Sequence, residues 1–113
     1  MRHIKVTFNS RKQWVIFHVG ISLRKFRNEN QCHAYYVPAD VRLQRRGLFG
    51  HVYIPETSEQ MFSELVSHEI AHAVHDWFLC RKGGESSIIK QEELYATMLG
   101  EIARKFWSRY NLE

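Results

Sequence analysis

The sequence predicts an α+β fold, and three observations carry that expectation. Short segments of the N-terminal half alternate apolar and polar residues with the period of two that a half-buried strand requires, as Ile4, Val6 and Phe8 do around Lys5 and Thr7. The C-terminal half instead carries two long stretches with helical spacing, separated by Arg81-Lys82-Gly83-Gly84. A chain of 113 residues is long enough for one domain (1–113) with a single modest core, so the strands and helices must share it.

In chain order, the first strand is expected over 4–8. Segment 10–28 carries two conflicting signals. Val15, Phe17, Val19, Ile21 and Leu23 alternate as in a strand, whereas Ser10 with Gln13 has the spacing of a capping box and Arg24, Lys25 and Arg27 suit the C-terminal end of a helix. Residues 32–37, with Tyr35, Tyr36 and Val37 before Pro38, read as a strand, and His51-Val52-Tyr53-Ile54 as another. Between them the basic stretch through Arg42, Arg45 and Arg46 is expected to be a loop or hairpin. Thr57 and Gln60 form a capping-box pair behind Pro55 and start the first long helix. The second is expected from about Ile88 to Tyr110, with Ile89, Ala96, Leu99, Ala103, Phe106 and Tyr110 as its apolar stripe.

The first long helix holds the chemistry. His68-Glu69-Ile70-Ala71-His72 places two imidazoles one helical turn apart, where both can ligate a single ion, and zinc is the ion expected for that pair. Glu69 projects about 100° round from His68, where it reaches a metal-bound water rather than the metal; it is the candidate general base. The bland alternative is an amphipathic helix with two surface histidines.

A catalytic zinc takes three protein ligands and keeps one open position. No histidine follows His75, and Phe occupies position 78, so the third ligand is sought on the second helix, where Glu92 and Glu93 stand 20 and 21 residues after His72. On the motif helix, Asp76 is either an acceptor for the ring N–H of His72 or a solvated acid, and His75 is either an oxyanion stabiliser or a partly buried histidine. Tyr95, Tyr53 and His51 are further candidates to stabilise an oxyanion.

The two helices together resemble the gluzincin metallopeptidases, in which an H-E-x-x-H helix is followed by a helix bearing a ligand glutamate. In Glu93-Leu94-Tyr95-Ala96-Thr97-Met98-Leu99-Gly100, Ala96 and Gly100 fall where the family has a small residue at three and, in thermolysin, a glycine at seven. The resemblance implies His68, His72 and Glu93 as zinc ligands and Glu92 as a supporting or surface carboxylate. A seam of small residues beside Glu93 would let the helices approach closely. Thr97 stands where many members have an aspartate, so that orienting role is weakened or passes to Asp76. The covered part is roughly the C-terminal half, and it is also similar to the very small gluzincins and to phage or mobile-element peptidases. The resemblance implies a zincin-like core of a short twisted sheet on the two helices, with a backing helix that tips 10–28 towards helix. It further implies that His51–Ile54 is the edge strand presented to substrate, and that the substrate is a peptide or protein.

No apolar run approaches a membrane span, and Met-Arg-His-Ile-Lys-Val is no signal peptide, so the chain is expected to stay in the cytoplasm and to need no membrane. Cys32 and Cys80 form no C-x-x-C pair and read as reduced, packed thiols. A net charge of +4 with basic clusters at Arg24, Lys25, Arg27 and at Arg42, Arg45, Arg46 permits a nucleic-acid partner without marking a recognisable module. Two other readings stay open. One is a non-catalytic zinc module that contacts a protein or nucleic acid through its basic surface. The other is a latent peptidase in which Cys32, Cys80 or an N-terminal carboxylate fills the fourth zinc position.

Overall fold

The structure is a computed structural model, and it describes residues 2–21, 34–55, 57, 59–80 and 91–111. The fold is α+β: a four-stranded mixed sheet with its two long helices on one face. Strands β1 (Arg2–Phe8) and β2 (Gln13–Ile21) form an antiparallel pair, joined by a turn in which Asn9, Ser10 and Arg11 all have left-handed φ and Lys12 N–H donates to Asn9 O. Strand β3 (Tyr35–Pro38) leads through Asp40 into the short helix α1 (Val41–Arg46) and strand β4 (Leu48–Pro55). Helices α2 (Glu59–Leu79) and α3 (Glu92–Asn111) complete the described elements.

Sheet order is β1-β2-β4-β3, with β4 parallel to β2 and antiparallel to β3. One face carries Ile4, Val6 and Phe8 beside Val15, Phe17 and Val19, with Val52 and Ile54 completing the layer. Against it α2 buries Phe62, Val66, Ile70, Val74 and Phe78, and α3 buries Met98, Ile102 and Phe106. No described helix is long and apolar enough to cross a membrane.

Four expectations need correction. Residues 13–21 form a strand, not a helix. The period-two pattern of Val15, Phe17 and Val19 buries a whole face, whereas the Ser10/Gln13 signature offers only a cap's worth of hydrogen bonding; the rest of 10–28 lies, beyond Ile21, outside the described residues. The basic stretch is helix α1, because Asp40 caps it by accepting from Leu43 N–H and Gly47 closes it at φ 118°. A side chain at Gly47 would meet the Trp14 ring at 2.5 Å, so glycine is required there twice over. His51–Ile54 is interior, not an edge, since it lies between β2 and β3; on the β4 side the outermost strand among the described residues is β3. Finally, the buried line of α3 runs through Met98, Ile102 and Phe106, while Ala96 of the expected stripe is exposed.

Candidate metal centre

Helix α2 divides its faces between packing and chemistry. Its apolar residues sit in the core, which leaves His68 and His72 on an exposed side one turn apart. Their Nε2 atoms lie 3.1 Å from each other. Two nitrogens each ~2.0–2.1 Å from one tetrahedral zinc would be about 3.3 Å apart, so the pair is spaced as two ligands of a single ion are.

Glu69 differs from both neighbours. It is 2% exposed, and its Oε2 has no hydrogen-bond partner among the described residues. Oε1 lies 3.9 Å from His68 Nε2. Burial pushes the carboxyl above its ordinary range, against the pull of His72 and then His68. A buried carboxylate with an orphan oxygen is costly unless something positive or hydrogen-bearing meets it. His68, Glu69 and His72 bring their ligand atoms within 4.8 Å of one another and could hold a metal ion. The donor set of two imidazoles and a carboxylate suits zinc.

The group opens into a groove of about 390 Å³ between α2 and the edge strand, lined by Tyr35, Tyr36 and Pro38 on one side and by His75, Asp76 and Leu79 on the other. The two walls are tied. Tyr36 Oη donates to Asp76 Oδ2 at 2.7 Å, and burial followed by that bond holds the phenol well above its usual pKa. Gly50 makes room for the ring, since a Cβ there would lie 2.5 Å from Tyr36 Oη. Asp76 is therefore engaged with Tyr36 through Oδ2 and is not simply a solvated acid. A second hollow, about 320 Å³, lies on the other side of the histidines and is lined by His68, Ala71, His72, His75 and Tyr95. Tyr95 reaches across from α3, its hydroxyl donating to Ala71 O at 3.3 Å; burial raises its pKa.

The other expected site residues fall as follows. His75 lines both hollows and is exposed. Glu92, Glu93 and Thr97 are exposed on the first two turns of α3 and do not join the metal-binding group. Tyr95 fixes the rotation of that helix: Glu92 projects about 60° from it, Glu93 about 160°. Glu92 thus shares the side that meets α2. The small-residue seam expected beside Glu93 is not packed, because Ala96 is exposed and a Cβ on Gly100 would meet nothing within 4 Å. His51 and Tyr53 alternate with the buried Val52 and Ile54, so they stand on the sheet face away from α2 and are not placed to stabilise an oxyanion at the histidine pair. There His51 contacts His18, and Tyr53 stacks on it. Cys80 is a free, exposed thiol beside Asp76, whereas Cys32 lies outside the described residues. Tyr36 and Gly50 are the site residues that sequence reading missed.

Comparison of the chain with protein families, with curated proteins and with solved structures finds no match.

Proposed function

We propose that the chain is a zinc-dependent peptidase in which His68 and His72 hold the metal and Glu69 is the general base. One observation carries the reading: a buried carboxylate with an unpartnered oxygen sits beside two imidazole nitrogens 3.1 Å apart, at the floor of a groove walled by an edge strand. Packing alone gives no reason to bury that carboxylate. Bound zinc would supply a water acidified towards neutrality and a polarised carbonyl.

The chain's own residues account for the rest. Strand β3 is the outermost strand of the sheet among the described residues, the place where an extended peptide would lie alongside the histidines, and the Tyr36–Asp76 bond fixes that strand relative to α2. Glu69, isolated from water on its core side, takes the proton of the attacking water and returns it to the leaving amine. The third ligand is read as Glu92 in preference to Glu93, because the Tyr95 contact turns Glu92 towards α2. Tyr95 and His75, which line the second hollow, are the candidates to steady an oxyanion.

The test is metal content and hydrolysis measured together. The purified chain should bind one zinc, cleave a denatured protein or peptide library, and on Glu69→Gln keep its zinc while losing roughly 10²–10⁴-fold in rate. Equal activity in Glu69→Gln would remove the proposed mechanism even if zinc is bound. A chain that binds zinc and cleaves nothing supports the second reading, a latent or non-catalytic zinc module, which the arginines of α1, without ion-pair partners among the described residues, also favour.

A further inference from the structure

The described residues expose five large apolar side chains: Val37, Val41, Leu43, Met61 and Leu79. Four of them, all but Met61, belong to the end of β3, to α1 and to the end of α2. These three elements meet. Gln44 of α1 donates to Phe49 O at 3.0 Å, the carbonyl that also accepts from Ala39 N–H just beyond β3, and its Oε1 lies 4.0 Å from the Cys80 thiol that follows Leu79. Pro38 and Leu79 in turn line the groove of the candidate metal centre, so this region adjoins that groove, whereas Val37, paired with His51, stands on the sheet face away from α2.

The same region is strongly cationic. Helix α1 buries none of its residues, and Arg42, Arg45 and Arg46 are exposed on it. The β1–β2 turn brings Arg11 and Lys12 to its C-terminal end, where Trp14 N–H donates to Gly47 O at 2.8 Å. None of these five cations has an ion-pair partner among the described residues, and Asp40, the nearby acid, is occupied in capping α1. Helix-dipole stabilisation accounts for Arg45 and Arg46 in the last turn, but not for Arg42 or for Val41, which is 62% exposed.

We infer that α1 and the adjoining ends of β3 and α2 form a docking surface for a polypeptide segment that combines acidic with large apolar residues. Charge complementarity selects an anionic partner. The apolar side chains decide between anions: a nucleic-acid backbone would use the arginines and leave Val41, Leu43 and Leu79 in water, whereas an acidic, apolar peptide satisfies both sets. The surface meets the groove only at Pro38 and Leu79, and none of the proposed ligands or the proposed base belongs to it, so docking does not depend on whether the bound chain is then cut.

The experiment is fluorescence anisotropy of a labelled twelve-residue peptide that alternates Glu with Leu and Phe, on the wild-type chain, with mass spectrometry afterwards to confirm the peptide intact. Matched probes are a Gln-for-Glu peptide, a Ser-for-Leu/Phe peptide, and a twelve-nucleotide single strand and duplex. The acidic, apolar peptide should bind tightest and weaken with salt. Neutralising Arg42, Arg45 and Arg46 to Gln should cost roughly twofold each, about eightfold together. Val41→Ser with Leu43→Ser should weaken the peptide and leave any nucleic-acid binding unchanged. All five positions are exposed, and matching melting curves verify that the variants stay folded. Equal binding of the neutral peptide, equal binding after neutralisation, or tighter binding of either nucleic acid overturns the inference.

Discussion

Replacing Glu69 by Gln should make the metal-free protein more stable while destroying the proposed activity. The wild-type side chain is 2% exposed and leaves Oε2 without a partner, so folding strips a carboxylate of water and returns too few hydrogen bonds. An unsatisfied buried group costs about 1–3 kcal/mol, and more when charged; a neutral amide of the same shape removes the excess, about 1–2 kcal/mol. For a domain of this size that is roughly 4–8 °C in melting temperature. The pH dependence has a definite sign. The folded carboxyl titrates above its ordinary 4.5, so its penalty is absent below that value and appears as pH rises through the folded pKa. The wild type and Glu69→Gln should therefore melt together in acid and separate towards neutral pH. Added zinc should shrink the gap, since a cation beside the carboxylate compensates its burial. Differential scanning fluorimetry of chelated and zinc-loaded protein reads all of this. A metal-free Glu69→Gln that melts at or below wild type at pH 7.5 would refute the claim that Glu69 is buried against its own solvation.

Three further outcomes follow from the same geometry. Gly50→Ala forces a methyl into the Tyr36 ring, with contacts of 2.5–2.7 Å, and should destabilise by about 1–3 kcal/mol in chemical denaturation; no loss would mean that Tyr36 is free to move out of the wall. His18, pushed down to about 4 by burial and then by His51 and His3, should make stability fall as pH drops from 6.5 towards 4, because only the unfolded chain takes up the proton there. Its half-exposed position limits the loss to about 1 kcal/mol after solvent screening, and His18→Phe should flatten that slope. Glu92→Ala should lower zinc affinity more than Glu93→Ala in competition with a chromophoric chelator; the reverse ranking would show that α3 turns its other side to the histidines.

Much of the fold was legible because local pattern and burial agree. Ile4, Val6 and Phe8 alternate, and all three are buried; the long helices lie where periodicity put them. Where two local signals competed, burial decided. In segment 10–28 a capping signature worth about 1 kcal/mol stood against a strand face that buries Val15, Phe17 and Val19, and the face prevailed. Helix α1 was misread although both its caps, Asp40 and Gly47, stand in the sequence, because six residues between them are too few to show helical periodicity. The interior place of β4 had no local signal at all. It depends on β4 pairing in parallel with β2 across the 26 residues between Ile21 and Leu48, which chain order does not encode.

At the site the division follows distance along the chain. His68 and His72 converge because helix geometry alone brings i and i+4 together, so their spacing could be read directly. Everything that depends on a second element could not. Whether Tyr35 or Tyr36 reaches Asp76 across the groove is a matter of strand register, and a slip of one residue would exchange them; neither composition nor spacing separates two adjacent tyrosines. The rotation of α3 is a similar case. Ala96, Gly100 and Ala103 look like a seam made for close helix packing, yet a seam of small residues acquires that meaning only if a neighbour fills it, and around Gly100 none does. The bulky residues fix the rotation instead: Tyr95 against Phe78 and Ala71, Phe106 against Phe62 and Phe17. Which of Glu92 and Glu93 turns towards α2, and so which the proposed function takes as third ligand, is therefore set by how aromatic side chains pack along α3. Substitutions at Phe62 or Phe106 should accordingly reach the site through the helix, changing zinc affinity without touching a ligand.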